Sequence, residues 1–120
     1  MGSDNYFGWF NRGARGLISN GGVRDTDELI LQKIAIWSRS LAQSMVQVRL
    51  QFDAKNIPVA VGGVLVRPGD MIVADGDGVI VVPQEIIVEV AQWAHEEHNQ
   101  DKQSRRKHYI KAGRELDDTL

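Results

Sequence analysis

The residues with the clearest chemical potential stand in one run, Gly21-Gly22-Val23-Arg24-Asp25-Thr26-Asp27-Glu28. Arginine followed directly by aspartate brings a planar guanidinium and a carboxylate to one point of the chain. The guanidinium can grip a carboxylate or keto-acid oxygen pair through two parallel hydrogen bonds. The carboxylate can hold a hard divalent cation through oxygen, directly or through the cation's waters. The same pair on an open surface is an ordinary ion pair worth little, so its placement decides. Leu17-Ile18 predicts a short strand, and Asn20-Gly21-Gly22 a tight turn that delivers Arg24 and Asp25 at the strand's end.

Two other motifs carry less. Asp75-Gly76-Asp77-Gly78 opens like a calcium loop, but Val79 and Ile86 stand at its fifth and twelfth positions, where oxygen ligands belong. It reads as a hairpin turn. His95 and His98 are three apart in a charged run, whereas a zinc helix needs them four apart. That stretch reads as a solvated helix face, as does the basic cluster at 102–107. No phosphate loop, dinucleotide fingerprint or nucleophile elbow is present.

The chain that must position Arg24 and Asp25 has 120 residues, enough for one core. Its 14 Lys+Arg against 16 Asp+Glu leave a net charge of −2, so no global field recruits nucleic acid or an acidic membrane. Without cysteine there is neither a disulfide framework nor a thiolate metal site. No apolar run has the length of a membrane span, and residues 1–16 lack the apolar core of a signal peptide. A cytoplasmic domain is expected.

Residues 2–13 predict a short aromatic-rich helix, capped by Ser3, Asp4 or Asn5 and stopped at Gly13. Its free amides offer an anion site. Thr26–Lys33 predicts a second helix with Thr26 as cap, and Ile34–Trp37 a strand followed by a polar loop over 38–44. Val46, Val48, Leu50 and Phe52 alternate with Gln47, Arg49, Gln51 and Asp53, which predicts a half-buried strand. Short strands follow at Ile57–Val61, Val64–Val66, Met71–Ala74 and Val79–Val82, with turns at Gly62-Gly63 and Arg67–Asp70. From Pro83 a helix begins, apolar at Ile86, Val90, Trp93 and Ala94 and polar beyond His95. The expectation is an α/β domain with a mostly β core over residues 1–95 and a polar helical extension over 96–120.

The runs Gly21–Glu28, Ile57–Val64 and Val66–Pro83 together resemble the regulator-of-ribonuclease-activity-A-like family. The enzymatic branch of that family includes 4-hydroxy-4-methyl-2-oxoglutarate and 4-carboxy-4-hydroxy-2-oxoadipate aldolases. The resemblance covers residues 2–95 and corresponds to the C-terminal half of family members of about twice this length. It implies a swivelling-type β/β/α domain, assembled as a trimer or hexamer with sites at subunit interfaces. It implies a class II, metal-dependent aldolase that also decarboxylates oxaloacetate, with a small 2-oxo acid as substrate and Mg²⁺ or Mn²⁺ as cofactor. Arg24 then holds the substrate's oxygens, Asp25 anchors the hydrated metal, and backbone amides near Asn5 and Tyr6 hold the carboxylate. The family's pattern is an acidic residue, twenty intervening residues, then Arg-Asp. That count lands on Ser3, beside Asp4, which is the candidate for the acid. Asn20 stands where the family usually has aspartate.

Two other functions belong to different classes: a non-catalytic trimeric regulator of the ribonuclease-inhibiting kind, or an inactive truncated homologue. The regulatory branch generally lacks Arg-Asp, so Arg24-Asp25 favours the enzyme.

Overall fold

The computed structural model describes residues 2–120 and shows an α/β chain that divides into two units, one up to Val81 and one from Val82 to Leu120. The expected domain boundary at 95/96 lies inside a continuous helix.

The first unit opens with α1, Ser3–Phe10. Gly2 is its N-cap, and no side chain caps the helix in the manner expected of Ser3, Asp4 or Asn5. Gly13 lies just past the helix at φ 97°, the backbone that glycine adopts at little cost. β1, Leu17–Val23, runs straight through the glycines where a turn was expected. Asn20-Gly21-Gly22 instead breaks the register of a parallel pairing with β2, Ile36–Leu41, between Ser19 and Gly22. The chain turns later, at Asp25, whose φ of 61° and ψ of 40° are left-handed. α2, Thr26–Leu31, follows, with Asp25 rather than Thr26 as its N-cap.

This α1-β1-α2-β2 segment holds the buried cluster Tyr6, Val23 and Leu29, flanked by Trp9, Leu17, Ile34 and Ile36. Tyr6 and Trp9 meet edge to face with ring centroids 5.7 Å apart. Apolar burial is therefore concentrated where two helices meet one strand, and not among the short strands that follow.

Residues 46–53 are the main departure from the sequence pattern. No strand forms there; Arg49 and Leu50 both donate backbone bonds to the Val46 carbonyl, which closes a turn instead. Val48 takes φ 57°, and its side chain stands free at 107% relative exposure.

β3, Val59–Val61, and β4, Val64–Val66, form an antiparallel hairpin through Gly62 and Gly63. Both glycines have positive φ, 61° and 84°, as a two-residue hairpin turn matching the strand twist requires. β5, Met71–Ala74, pairs with β6, Val79–Val82. Between them Asp75 Oδ1 accepts from the backbone of Asp77 at 2.9 Å and of Gly78 at 3.3 Å. The carboxylate that a calcium loop would spend on a cation is spent on the turn.

Two long side chains tie these strands to β1 and β2. Asn20 donates to the Ala60 carbonyl at 2.8 Å and accepts from the Gly62 amide at 2.7 Å, as a backbone amide would in a ladder. Trp37 Nε1 donates to the Asp75 carbonyl at 2.7 Å.

In the second unit a single 3-10 turn, Gln84–Ile86, leads into α3, Ile87–Lys111. Gly113, at φ 63°, ends that helix, and the tail folds back onto its last turns. Tyr109 Oη donates to Asp117 Oδ2 at 2.9 Å, and Arg105 Nη1 donates to the Thr119 carbonyl at 3.2 Å. No helix among the described residues is long and apolar enough to cross a membrane.

Candidate active site

Arg24 and Asp25 lie between the C-terminal end of β1 and the start of α2, each with about a third of its side chain exposed. Asp25 is among the residues that tolerate left-handed backbone best, and that conformation re-aims its carboxylate out of the strand direction. Oδ2 accepts from the Ser3 amide at 3.1 Å and lies 3.6 Å from Arg24 Nε. The helix start of α1 is thus docked on the carboxylate, where the positive end of a helix is favoured. Ser3 Oγ donates to Glu28 Oε2, so one buried serine joins two carboxylates of the Arg24–Glu28 run.

Gly2 completes the arrangement. A Cβ on Gly2 would collide with Asp25 Oδ2 and Arg24 Nε, so a larger residue there requires those side chains to shift. On the other side, Arg24 Nη1 donates to Met45 Sδ at 2.7 Å. A cavity of about 360 Å³ adjoins the pair, lined by Val23, Arg24, Asp25, Thr26, Leu41, Ala42 and Gln43.

The sequence-predicted residues separate into two groups. Arg24 and Asp25 meet, and the residue that reaches them from α1 is Ser3, where the twenty-residue spacing lands, rather than its neighbour Asp4. Asp4 is exposed on the first turn of α1. By helix geometry the amides free of an internal acceptor are those of Ser3, Asp4 and Asn5, while that of Tyr6 falls within the helix. The Tyr6 side chain belongs to the core. Its ring is fully buried at 0% exposure, and its hydroxyl has no hydrogen-bond partner among the described residues. Burial raises the Tyr6 pKa above its ordinary value of 10.0. Gly2, Glu28 and Met45 were missed by sequence reasoning. Only Glu28 had a signal, its place three residues after Asp25; Met45 lies in an irregular stretch with none.

The donor set bears on a metal. No group of three or more His, Cys, Asp or Glu side chains among the described residues could enclose an ion. Asp25 has one oxygen engaged and Oδ1 free of hydrogen bonds among the described residues. A single open carboxylate oxygen fits a cation that keeps most of its own waters, as Mg²⁺ does, and does not fit a dehydrated structural ion.

Known proteins place the chain in a family. The RraA-like family, described as Aldolase/RraA, matches residues 8–81, nearly the whole first unit. The chain belongs to the RraA-like family. A protein of Deinococcus radiodurans named "Putative 4-hydroxy-4-methyl-2-oxoglutarate aldolase" is 39% identical over 74 residues, 61% of this chain and 45% of the relative. An uncharacterised protein of Methanocaldococcus jannaschii is 29% identical over 109 residues, 91% of this chain and 51% of the relative. The crystal structure of Streptomyces coelicolor RraAS2, described as an unusual member of the RNase ES inhibitor RraA family, superposes with a TM-score of 0.74. It is 33% identical and covers 87% of this chain and 53% of the Streptomyces chain. The chain spans about half the length of the curated relatives it matches.

Proposed function

We propose that the chain works as a divalent-metal-dependent lyase that cleaves a C–C bond of a 2-oxo acid and releases pyruvate. Its substrates would be of the 4-hydroxy-4-methyl-2-oxoglutarate type, with oxaloacetate decarboxylation as the companion reaction. The observation that carries the reading is the Arg24-Asp25 pair at the end of β1, docked against the free amides of α1.

In this reading the guanidinium of Arg24 holds the substrate's carboxylate or 2-oxo oxygen, using the donors that Asp25 and Met45 do not engage. The amides of Asp4 and Asn5 add donors for the carboxylate, since that of Ser3 is given to Asp25. Asp4, in water on the first turn of α1, is the group available to exchange a proton with the departing half of the substrate. Asp25 would hold hydrated Mg²⁺ or Mn²⁺ through Oδ1, and the cation supplies Lewis-acid stabilisation of negative charge on the 2-oxo oxygen. Self-association as a trimer or hexamer in the cytoplasm belongs to the same proposal.

The test is pyruvate release from oxaloacetate and from 4-hydroxy-4-methyl-2-oxoglutarate, with Mg²⁺ and with excess chelator. Release that vanishes with chelator and returns with Mg²⁺ or Mn²⁺ is expected. Undiminished release in chelator would overturn the metal role. The inhibitor family named for the Streptomyces structure favours a second reading, a non-catalytic binding protein, which predicts no turnover of either substrate under any condition.

A further inference from the structure

α3 sorts its charges by sign along its length. From Ile87 to Asp101 there are four acidic residues and no lysine or arginine. From Lys102 to Arg114 there are six lysines and arginines and no acid. Charges near a helix end complement its dipole, but that effect fades beyond the first and last turns. Here the sorting runs through the middle. Glu97 and Asp101, Lys102 and Arg106, and Lys107 and Lys111 are like charges four apart, which repel on a helix surface. Only Asp101 and Arg105 are opposite at that spacing. A helix laced for water interleaves its signs along one face. This one presents an acidic half and a basic half.

No residue of α3 is buried. The tail engages one side of it, through Arg105 and Tyr109. By the 3.6-residue period, Trp93, Glu96, Gln100, Gln103, Lys107 and Ile110 lie on the opposite side, and all six are exposed. Trp93 and Ile110, the apolar members, are 61% and 64% exposed. The six fall on two seven-residue repeats, 93-100-107 and 96-103-110, which together make the seam by which two helices pack.

The seam is complementary to itself. In an antiparallel second copy with its Ile110 against Trp93, its Lys107 meets Glu96 and its Gln103 meets Gln100. Two-fold symmetry then repeats each contact. Every layer is matched, apolar to apolar, acid to base and amide to amide. A parallel copy would instead set Glu96 on Glu96 and Lys107 on Lys107. A polyanion would engage the basic half alone and leave Trp93 and Glu96 uncovered.

We propose that α3 is the interface of an antiparallel pair of copies of this chain, held by Trp93 and Ile110 at its ends and by two Glu96–Lys107 ion pairs between them. The pairing joins copies in twos, whatever the first unit contributes, and does not depend on the lyase reading.

Light scattering on the full chain over a concentration series should reach an even number of copies, and raised salt should lower it by screening the ion pairs. Glu96→Lys sets lysine against lysine twice, and Lys107→Glu sets glutamate against glutamate twice. Each should keep the parent's circular dichroism, weaken pairing about tenfold or more and halve the number of copies at a fixed concentration. Mixing the two variants restores both ion pairs, so the mixture should regain the parent's mass. A mass that Glu96→Lys leaves unchanged, or variants that gain nothing on mixing, would overturn the proposal. So would nucleic acid that copurifies with the parent and is lost in Lys107→Glu alone, since the basic half would then hold a polyanion.

Discussion

Residues 2–41 and residues 42–58 are adjacent in the chain and opposite in physical character. The first stretch forms two helices and two strands around Tyr6, Val23 and Leu29 and holds Arg24 and Asp25 in a defined turn. The second has a stronger strand pattern than anything in the first, yet forms no strand. What separates them is the location of the partner. Each side chain of the Tyr6–Val23–Leu29 cluster finds the others within about one α-β-α span, whereas Val48, Leu50 and Phe52 stand largely exposed. Periodicity states which face wants burial; only the rest of the fold can supply it.

The largest effect that sharpens this contrast is a pair of truncations. Leu29 is 5% exposed, so Leu29→Ala should cost about 3 kcal/mol through lost transfer energy and a cavity. Leu50→Ala, at a residue 75% exposed, should fall within about 0.5 kcal/mol of the parent in the isolated chain. Urea unfolding of the two variants decides it. Equal losses would mean that 42–58 is buried in solution, and the contrast would disappear.

Next in size is Arg24, whose grip on an anion separates a binding turn from a surface ion pair. Arg24→Lys keeps the charge but loses the planar fork, so kcat/KM for pyruvate release should fall roughly 30- to 150-fold, or about 2–3 kcal/mol. The unfolding midpoint should barely move, because the side chain is partly in water. Unchanged kcat/KM would make Arg24 a structural residue and break the link between the ordered stretch and chemistry.

Much of this was legible in the sequence, for reasons that lie in particular residues. The Gly62-Gly63 hairpin, the Asp75–Gly78 turn and the helix after Pro83 are coded by neighbours a few positions apart, and all three form as the residues predict. Arg24-Asp25 was legible as a pair because the two are adjacent. The spacing landed on Ser3, but the acid was assigned to Asp4, because the bond from Ser3 to Asp25 spans 22 positions and leaves no periodic trace. The strand through Asn20-Gly21-Gly22 was misread as a turn because glycine permits both a turn and a bulge. Which one forms depends on β2 and on the Ala60–Gly62 backbone that Asn20 holds.

A smaller effect lies at the end of α2. There Lys33 donates to the Ile30 carbonyl and Ile34 to the Leu29 carbonyl, both at 3.0 Å, the paired bonds that close a helix through a left-handed residue. Gly113 fills the equivalent place after α3, but here the residue is lysine at φ 54°. Lys33→Gly should therefore stabilise the ordered stretch by about 1 kcal/mol, by removing the left-handed penalty of a side chain. Thermal unfolding measures it. A loss of stability would show that the aliphatic stem of Lys33 contributes more by packing than its backbone costs.

The smallest effect asks whether a nearby partner suffices to order an irregular stretch, using residues 112–120 as the counterpart of 42–58. Asp117 accepts from the Thr119 amide at 3.0 Å, from the Thr119 hydroxyl and from Tyr109 Oη. The hydrogen bonds from Thr119, its hydroxyl first, then those of its amide and of Tyr109, lower the Asp117 pKa below its ordinary 3.8. A depressed folded pKa means that the docked tail is favoured in full above the ordinary carboxylate value. That advantage is lost as pH falls below 3.8 and through the lowered pKa. The Thr119 amide resonance should hold its position from neutral pH down to about the ordinary carboxylate range and then shift as Asp117 protonates. Asp117→Asn should place it at the shifted position at every pH, with Tyr109 freed as well. A Thr119 resonance at the random-coil position already at neutral pH would mean that a local partner does not order this tail, and proximity in sequence would lose its place as the rule separating the two regions.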